Sequence, residues 1–493
     1  MQAAYSIWIK PVKKTTMAGA LLLAILIGIG VGNKVALHIN LLIQVIIFLS
    51  ALIVMRSGSF YKLILIALAG LILGISRGAD YHKILNEYEV YYHQKITGQA
   101  VAAEDAAYGR NGQLSFAVRD FKTDKGIGLR GKIMISGYGA NAVYEGDRVH
   151  FSGKFYPGYG AYQGRISYAE LSVRKRGNST VSNFRRSFAA GLQSVLPEPS
   201  ASFAMGILIG QRSALPEEVK KALLMIGLTH IIAVSGYNLT IILNATNSLL
   251  RQQSKRLATL LAISLIATFL MLTGSSASIV RAAIISLLSI FATYHGRKIK
   301  PLVLISLAAS ITAWANPVYL WSDASWHLSF LAFAGILILA PLIKSRVKIA
   351  VSNTLIGAVA LESICAEIMT MPYLAHSFGQ ISLIGLAANL LIASMVPAAM
   401  LASLVAGIVG IFNIGLTSFL AWPAVIILGA MLSLSNILAQ IPGVFVENIK
   451  ISLVTMIACY IFTGLFISLL HNKTKDSKHV NITDTEQNNL ARA

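Results

Sequence analysis

Charge is scarce in this sequence, and acidic charge is the scarcest. Only 12% of the 493 residues are charged, with 20 Asp and Glu against 41 Lys and Arg. A soluble globular protein carries about 25% charged residues. Here 55% of the residues are hydrophobic and the mean hydropathy is +0.67. This composition excludes an ordinary water-soluble protein, so lipid must cover most of the chain.

Cysteine is nearly absent as well. Cys365 and Cys459 are the two in the sequence, and both lie in apolar stretches. Two such residues exclude a disulfide framework and a cysteine metal site. The sequence also contains no HExxH or comparable metal-binding motif. We therefore expect no metal, no cofactor and no catalytic residue.

Long apolar runs dominate what is present. They approach the ~20 residues that cross ~30 Å of hydrocarbon, and the clearest are Thr16–Gly32, Leu41–Met55, Phe60–Ser76, Leu257–Leu272, Ile279–Tyr294, Leu328–Ile343, Leu355–Met371 and Ile451–Leu470. The first is interpreted as a retained helix, because a second span follows it at once. The runs predict a polytopic α-helical membrane protein with about ten or eleven transmembrane or re-entrant helices.

Basic residues set the expected orientation, because cytoplasmic loops gather Lys and Arg. Lys10, Lys13 and Lys14 place the amino terminus in the cytoplasm, and the carboxy terminus follows it there. We expect amino-terminal transmembrane helices over residues 1–80, a second transmembrane domain over 203–470 and a disordered cytoplasmic tail over 471–493. Pro397 predicts a broken or re-entrant pair of helices within Ile381–Phe412.

Residues 95–176 have a different pattern of polar and apolar residues from the rest of the chain. Alternating segments at Gln113–Phe121, Gly131–Ser136 and Asp147–Phe155, separated by glycine-rich turns, predict a small antiparallel barrel or sandwich outside the membrane. The spacing from Leu129 to Gly153 is that of an oligonucleotide-binding (OB) barrel. The segment holds 13 Lys and Arg against 7 Asp and Glu, a net charge of +6. Residues 183–196 then predict an amphipathic helix in the membrane interface.

Aromatic and basic residues are interleaved in this segment. They are Tyr156, Tyr159, Tyr162, Arg165, Arg174, Lys175 and Arg176. Tyrosines that stack bases beside cations that track phosphates are typical of single-strand binding. Alternatively, some of the tyrosines fill the barrel core or meet the membrane interface.

Polar residues interrupt one apolar stretch at His230, Ser235 and Asn238. Such groups can line a wet cavity or join neighbouring helices by hydrogen bonds. A third possibility is that Ser235 is a nucleophile with His230 as its base. Five residues turn a helix by about 500°, so the two side chains would not face each other without a break.

Arg281 lies within another apolar run, after Ser275 and Ser276. An arginine in a span costs at least ~2.5 kcal/mol unless it faces water or a partner. It therefore either lines an anion path or pairs with Glu362 or Glu367.

Two further groups of polar residues lie in the apolar half of the chain. Asp323 and His327 stand four residues apart, and Asp323 is suited to cap a helix amino terminus. Trp321 and Trp326 are expected to anchor that end at the membrane interface. Glu367 and Asn389 fall among later breaks in the apolar runs.

These motifs in this order resemble the ComEC family of competence proteins, the channels that carry DNA across the cytoplasmic membrane. The resemblance is carried by the OB-like segment, Gly206–Arg212, His230–Gly236, Ser278–Ala282, Asn316-Pro317, Leu328–Ala332, Met371-Pro372, Phe378-Gly379 and Asn389–Leu391. It departs at Asn238, where many members have histidine. The chain also ends at Ala493 without the metallo-β-lactamase-type domain that many members carry.

The resemblance implies an inner-membrane channel for single-stranded DNA during natural transformation, with residues 203–470 as the channel domain. It implies a DNA path lined by His230, Ser235, Asn238, Ser275, Ser276, Arg281, Asp323, His327, Glu367 and Asn389. The implied partners are single-stranded DNA, membrane lipid, a surface DNA receptor, a cytoplasmic translocation motor and a second copy of the chain. The alternatives are an exporter or flippase for another anionic polymer or lipid and, more remotely, an intramembrane hydrolase.

Overall fold

The computed structural model describes most of the chain, namely residues 12–35, 37–56, 60–108, 113–124, 126, 128–129, 131–140, 142–177, 180–210, 215–232, 254–273, 277–297, 300–345, 355–412, 417–449 and 451–469. The expectations for 471–493 and for Ser235, Asn238, Ser275 and Ser276 lie outside these residues.

The described helices are α1 (Lys14–Val31), α2 (Leu41–Val54), α3 (Phe60–Glu89), α4 (Thr180–Val195), α5 (Ser200–Ile209), α6 (Glu217–Met225), α7 (Thr229–Ile232), α8 (Lys255–Thr273), α9 (Ala277–Tyr294), α10 (Pro301–Ala315), α11 (Val318–Ser322), α12 (Ala324–Ala334), α13 (Ala340–Lys344), α14 (Leu355–Phe378), α15 (Gly385–Ile392), α16 (Val396–Phe412), α17 (Thr417–Ala439) and α18 (Leu453–Leu469). A π-helical turn, Gly335–Leu339, joins α12 to α13, and a 3₁₀ turn, Ala393–Met395, joins α15 to α16. The second turn lies just before Pro397, where a break was predicted.

Among the described residues, five helical segments are long and apolar enough to cross a membrane: Lys14–Val31, Phe60–Glu89, Ala324–Lys344, Gly385–Phe412 and Phe419–Ala439. Shorter apolar helices, such as α2 and α10, accompany them. The prediction of a polytopic helical membrane protein is thus confirmed, while the total number of spans stays a prediction. The chain divides into two compact units. The first comprises residues up to Ala222, Thr229–His327 and Met395–Asn436, and the second comprises Leu223–Leu228, Leu328–Ser394 and the chain from Ile437.

The strands of the first unit are β1 (Lys95–Ala102), β2 (Ala107–Tyr108), β3 (Leu114–Thr123), β4 (Gly128–Leu129), β5 (Ile133–Tyr138), β6 (Arg148–Pro157) and β7 (Gly164–Lys175). We call residues 95–176 the β domain. Strand β1 pairs antiparallel with β3 and β6, β3 with β5, and β6 with β7, while β5 and β7 run parallel. The three segments predicted from alternation became β3, β5 and β6.

The core of the β domain explains its alternation. Inward residues of its strands, such as Phe116, Phe151 and Phe155, are completely buried. Tyr88, near the end of α3, joins this core and stacks on Phe155 with ring centroids 6.1 Å apart. Helix α3 therefore extends nine residues beyond the boundary expected at residue 80, because its last turns belong to the β domain.

Helix α4 covers the predicted amphipathic segment. Its Phe188 is buried on Gly407 of α16, and a Cβ on Gly191 would lie 2.7 Å from Gly407 O. On the polar side, buried Arg185 forms ion pairs with Asp105 and Glu145 of the β domain. Part of its apolar face thus packs on protein, and its placement in the membrane interface stays a prediction.

Glycines bring α1 and α3 into backbone contact. Gly28 and Gly32 of α1 face Gly74 and Gly78 of α3, and a Cβ on Gly78 would lie 2.8 Å from Gly32 Cα. Small residues four apart allow membrane helices this close approach, which favours van der Waals packing where lipid offers no hydrophobic drive. The contact fixes the helix that carries the β domain.

Gly74→Ala should therefore destabilise the protein. The new Cβ would collide with Ile25 O, and overpacking costs about 1–3 kcal/mol. We expect a lower free energy of unfolding, measured by thermal unfolding in detergent, and a lower amount of protein in the membrane. Gly429→Ala, in α17, is the control, because no atom lies within 4 Å of its added Cβ. Equal stability of the two variants would show that the α1–α3 contact is not tight.

Candidate functional site

The loop between β6 and β7, residues 158–163, rests on the ends of membrane helices. Gln163 Nε2 donates to Tyr81 OH of α3 at 2.6 Å and to Asn316 Oδ1 at 3.3 Å. Asn316 Nδ2 donates to Ala161 O at 3.4 Å, and Ser322 Oγ donates to Gly160 O at 2.7 Å. These are neutral hydrogen bonds, each worth about 0.5–1.5 kcal/mol net. They hold the loop over the turn between α10 and α12.

Asn316 and Ser322 occupy these positions for local reasons. Asn316 ends α10 because Pro317 follows it. Arg77 of α3 donates to Trp314 O at 2.8 Å, which places a cation at the carboxy-terminal end of α10. Ser322 ends the short α11. The turn is thereby held against α3 by a contact that does not involve the β6–β7 loop.

Arg281 lies in the same unit, on α9, and is 1% exposed. Its Nη2 donates to Ser325 O at 2.9 Å and to Ser325 Oγ at 3.1 Å. Its Nη1 is 3.9 Å from Asp323 Oδ2. Nε and Nη1 have no hydrogen-bond partner among the described residues. The guanidinium is therefore enclosed at the start of α12 with part of its donor capacity unused.

Asp323 makes two contacts at the start of α12. Its Oδ1 accepts from Ser325 N at 2.9 Å, which confirms the predicted amino-terminal cap of α12. Its other oxygen faces Arg281, so the acidic neighbour of that arginine is Asp323. The two glutamates considered from the sequence, Glu362 and Glu367, belong to the second unit. His327 Nδ1 lies 2.9 Å from Asp323 O, one turn into the helix.

Tyr162 connects the loop with this cluster electrostatically. Burial raises the pKa of its phenol, and the negative charges of Glu104 and Asp323 raise it further. Tyr319 of α11 interacts with the same phenol. Tyr162, one of the three tyrosines predicted to contact DNA, is thus half-buried, and Asp323 influences its phenol electrostatically.

The remaining predicted aromatic and basic residues of the loop region form one group, which we call the tyrosine–arginine cluster: Tyr156, Tyr159 and Arg165. Tyr159 and Arg165 are exposed and Tyr156 is half-buried. The Arg165 guanidinium lies 5.1 Å from the ring centre of Tyr156 and 5.9 Å from that of Tyr159. Lys154 Nζ lies 5.8 Å from the Tyr156 ring. Tyr159 is 54% exposed. Flat aromatic faces beside cations are what stacked bases and phosphates require.

Arg174, Lys175 and Arg176 lie at the opposite end of β7. All three are exposed, but Arg176 donates to the buried Asp147 at 2.7 Å and to Ala142 O at 3.0 Å. Its guanidinium also lies 5.5 Å from the Tyr144 ring. The structure therefore separates this basic run from the tyrosine–arginine cluster and gives Arg176 a role in holding the β5–β6 connection.

Glu367 and Asn389 come together in the second unit. Asn389 Nδ2 donates to Ser363 Oγ at 3.1 Å, between α15 and α14. One turn along α14, Glu367 Oε1 would lie 3.3 Å from a Cβ on Gly385 at the start of α15. A carboxylate is favoured near a helix amino terminus. These two residues thus line one helix–helix contact, while His230, in the first unit, is exposed at α7.

The expectation that Trp326 anchors the amino-terminal end of α12 at the membrane interface is wrong, while the same expectation for Trp321 stays a prediction. Trp326 is 5% exposed and its Nε1 donates to Thr312 Oγ1 at 3.0 Å, so it is a buried partner of α10. Trp321 Nε1 donates to Ile29 O of α1 at 2.9 Å. Both indole N–H groups find partners inside the protein, which a buried tryptophan requires.

Sequence reasoning missed Ser325, Tyr319, Ser322 and Gln163, since none has a feature that separates it from other polar residues. In the described part of the chain, no three His, Cys, Asp or Glu side chains are grouped so as to hold a metal ion.

Comparison with known proteins identifies the family. The family model described as "Competence protein" matches residues 207–473, more than half of the chain. The chain belongs to the ComEC family of competence proteins. The matched range contains Arg281, Asp323, Glu367 and Asn389 and begins after the β domain.

A curated relative is 25% identical over 297 residues: ComE operon protein 3 of Bacillus subtilis (strain 168). The alignment covers 59% of this ComEC family member and 36% of the relative, so the chain spans about a third of the length of that relative. No solved structure matches the chain.

Arg281→Met should destabilise the protein by leaving the Asp323 carboxylate buried without its cation. Removing one partner of a buried pair costs about 3–5 kcal/mol. We expect less protein in the membrane and earlier thermal unfolding. Combining it with Asp323→Asn should restore much of both, because asparagine still caps α12 and removes the stranded charge.

Arg256→Met, at an exposed position of α8, controls for the loss of one positive charge. A double variant as unstable as Arg281→Met would show that the pair contributes little and that the bonds to Ser325 dominate.

Proposed function

We propose that this ComEC family member is an inner-membrane channel for uptake of single-stranded DNA during natural transformation. The observation that carries the proposal is the contact between the β6–β7 loop and the α10–α12 turn. It joins the tyrosine–arginine cluster on one side to Arg281 and Asp323 on the other. A strand held by the cluster would therefore meet the transmembrane helices beside an arginine.

We propose further that the β domain is an OB-type barrel on the outer side of the membrane. The order of strand pairing supports this, because it runs β1–β3–β5–β7–β6 and returns to β1. The parallel pair between the third and fifth long strands, β5 and β7, fits that topology. The basic loops of the sequence support a cytoplasmic location for both termini.

In this mechanism the protein binds and conducts and performs no covalent chemistry. The barrel collects the strand, and Arg281 offers donors to phosphates when the α10–α12 turn opens. Glu367 and Asn389 are proposed as further residues that contact the strand. A cytoplasmic motor pulls the strand, and a surface receptor delivers it. The alternative, export or flipping of another anionic polymer or lipid, needs no preference for nucleic acid bases.

Loss of the gene should abolish transformation, and the wild-type chain should restore it. Tyr159→Ala should restore it poorly, because each base–aromatic stack contributes about 1–3 kcal/mol, or roughly 5- to 150-fold in affinity. Transformants per microgram of DNA and oligonucleotide binding to the purified full chain measure the two effects. Binding should weaken steeply with salt, as phosphate contacts do.

Tyr138→Ala is the matched control. Tyr138 is 46% exposed and pairs with Glu170, whereas β5 begins opposite Gly164, so it lies at the end of β5 away from the loop. Normal transformation in the deletion strain, or equal effects of the two substitutions, would contradict the proposal. Transport of an anionic lipid without DNA binding would favour the alternative.

The purified chain should leave DNA intact in the presence of Mg²⁺, Mn²⁺ or Zn²⁺. Phosphodiester cleavage generally needs a bound metal or a positioned base and electrophile, and the proposal assigns none to this chain. Gel analysis of labelled single and double strands measures the outcome. Cleavage that persists through stringent purification would refute this part of the proposal and would make the chain an enzyme.

A further inference from the structure

The β6–β7 loop has two different faces. Tyr159, on one face, is exposed and lies beside Arg165. Tyr162, on the other, is half-buried and within electrostatic reach of Tyr319 and Asp323. The two rings touch, with centroids 6.2 Å apart. A ligand that displaces or reorients Tyr159 therefore acts directly on Tyr162, the half-buried tyrosine of the same loop.

The contacts that hold this loop on the ends of the membrane helices are of a kind that can break. They are neutral hydrogen bonds from Gln163, Asn316 and Ser322, and two of them are long, at 3.3 and 3.4 Å. Ser322, which donates to Gly160 O, is itself exposed. By contrast, the β domain is attached elsewhere by a continuous helix and by Tyr88 in its core. The loop can therefore lift while the β domain stays attached.

Opening of the β6–β7 loop would affect Arg281 through two consecutive residues, Ser322 and Asp323. Ser322 precedes Asp323, and Asp323 both caps α12 and faces Arg281. Release of Gly160 from Ser322 removes one of the contacts on the segment that places Asp323 against the guanidinium. The unused donors of Arg281, Nε and Nη1, would then be available to an anion.

We propose that the β6–β7 loop is a lid over the outer end of the path, closed in this structure and opened by a single strand of nucleic acid that stacks on Tyr159. The proposal rests on the proposed function and adds its regulation: the same loop that recognises the strand blocks the way until recognition occurs. Without bound DNA, the path would thus stay closed and no separate gating subunit would be needed.

Reversible cross-linking tests the lid. Ala161→Cys and Ser322→Cys are introduced together into the full chain in which Cys365 and Cys459 are replaced by alanine. A short reducible bismaleimide then joins the two thiols, and mass spectrometry of the linked peptides gives the yield. Uptake of labelled DNA should fall at least tenfold on cross-linking and recover on reduction, because the strand cannot lift the loop.

The single-cysteine variants, treated with the same reagent, are the controls and should keep full uptake. Oligonucleotide binding to the cross-linked protein should weaken only by the several-fold factor by which the oligonucleotide lowers the cross-linking yield, because the two effects measure one coupling; it should not be lost, since Tyr159 and Arg165 remain exposed. Conversely, saturating single-stranded oligonucleotide added before the reagent should lower the cross-linking yield several-fold. Unchanged uptake by the cross-linked protein, or an unchanged yield with oligonucleotide bound, would overturn the lid.

The design separates the two levels of the proposal. If the cysteine-free parent neither binds nor takes up DNA, the proposed function has failed. If the parent and the single-cysteine variants take up DNA and the cross-linked protein does so equally well, the function stands and the loop is a fixed anchor.

Discussion

The structure depends on one helix, α3, that is shared by two environments. Its first half is apolar, and the helix packs through Gly74 and Gly78 against α1 so closely that only hydrogen fits between the backbones. Its last turns leave the apolar region and place Tyr88 in the core of the β domain. A helix of 30 residues is about 45 Å long, more than hydrocarbon requires. That excess length is what fixes the β domain relative to the membrane helices of its unit.

The placement of the β6–β7 loop follows from this arrangement. Arg77 and Tyr81, one turn apart on α3, hold the end of α10 and the loop residue Gln163, respectively. The loop therefore contacts the α10–α12 turn with a register set by the helix. A β domain on a flexible linker would need larger, apolar contacts to hold the same position.

Part of this organisation could be predicted from sequence because it is local. Strict alternation identified β6, Pro317 ended α10, and an aspartate before an apolar run capped α12. The partner of Arg281 could not be predicted in this way. The sequence analysis considered Glu362 and Glu367, and the three-dimensional path of the chain places Asp323 beside Arg281 instead. The division of the basic residues, with Arg176 committed to Asp147, likewise depends on contacts between distant strands.

The environments of Arg281 and Arg165 agree with what the proposed channel would require of its cations. A free arginine in a path would hold a passing polyanion too tightly, and a path without positive potential would not admit it. Here Arg281 is enclosed with Ser325 and Asp323, and Arg165 lies over two tyrosine rings. Under the proposed function, phosphates of a passing strand would exchange with these partners. In the proposed channel, a strand that replaced these partners one at a time would gain little at any single step, which would favour continued movement over tight binding at one site.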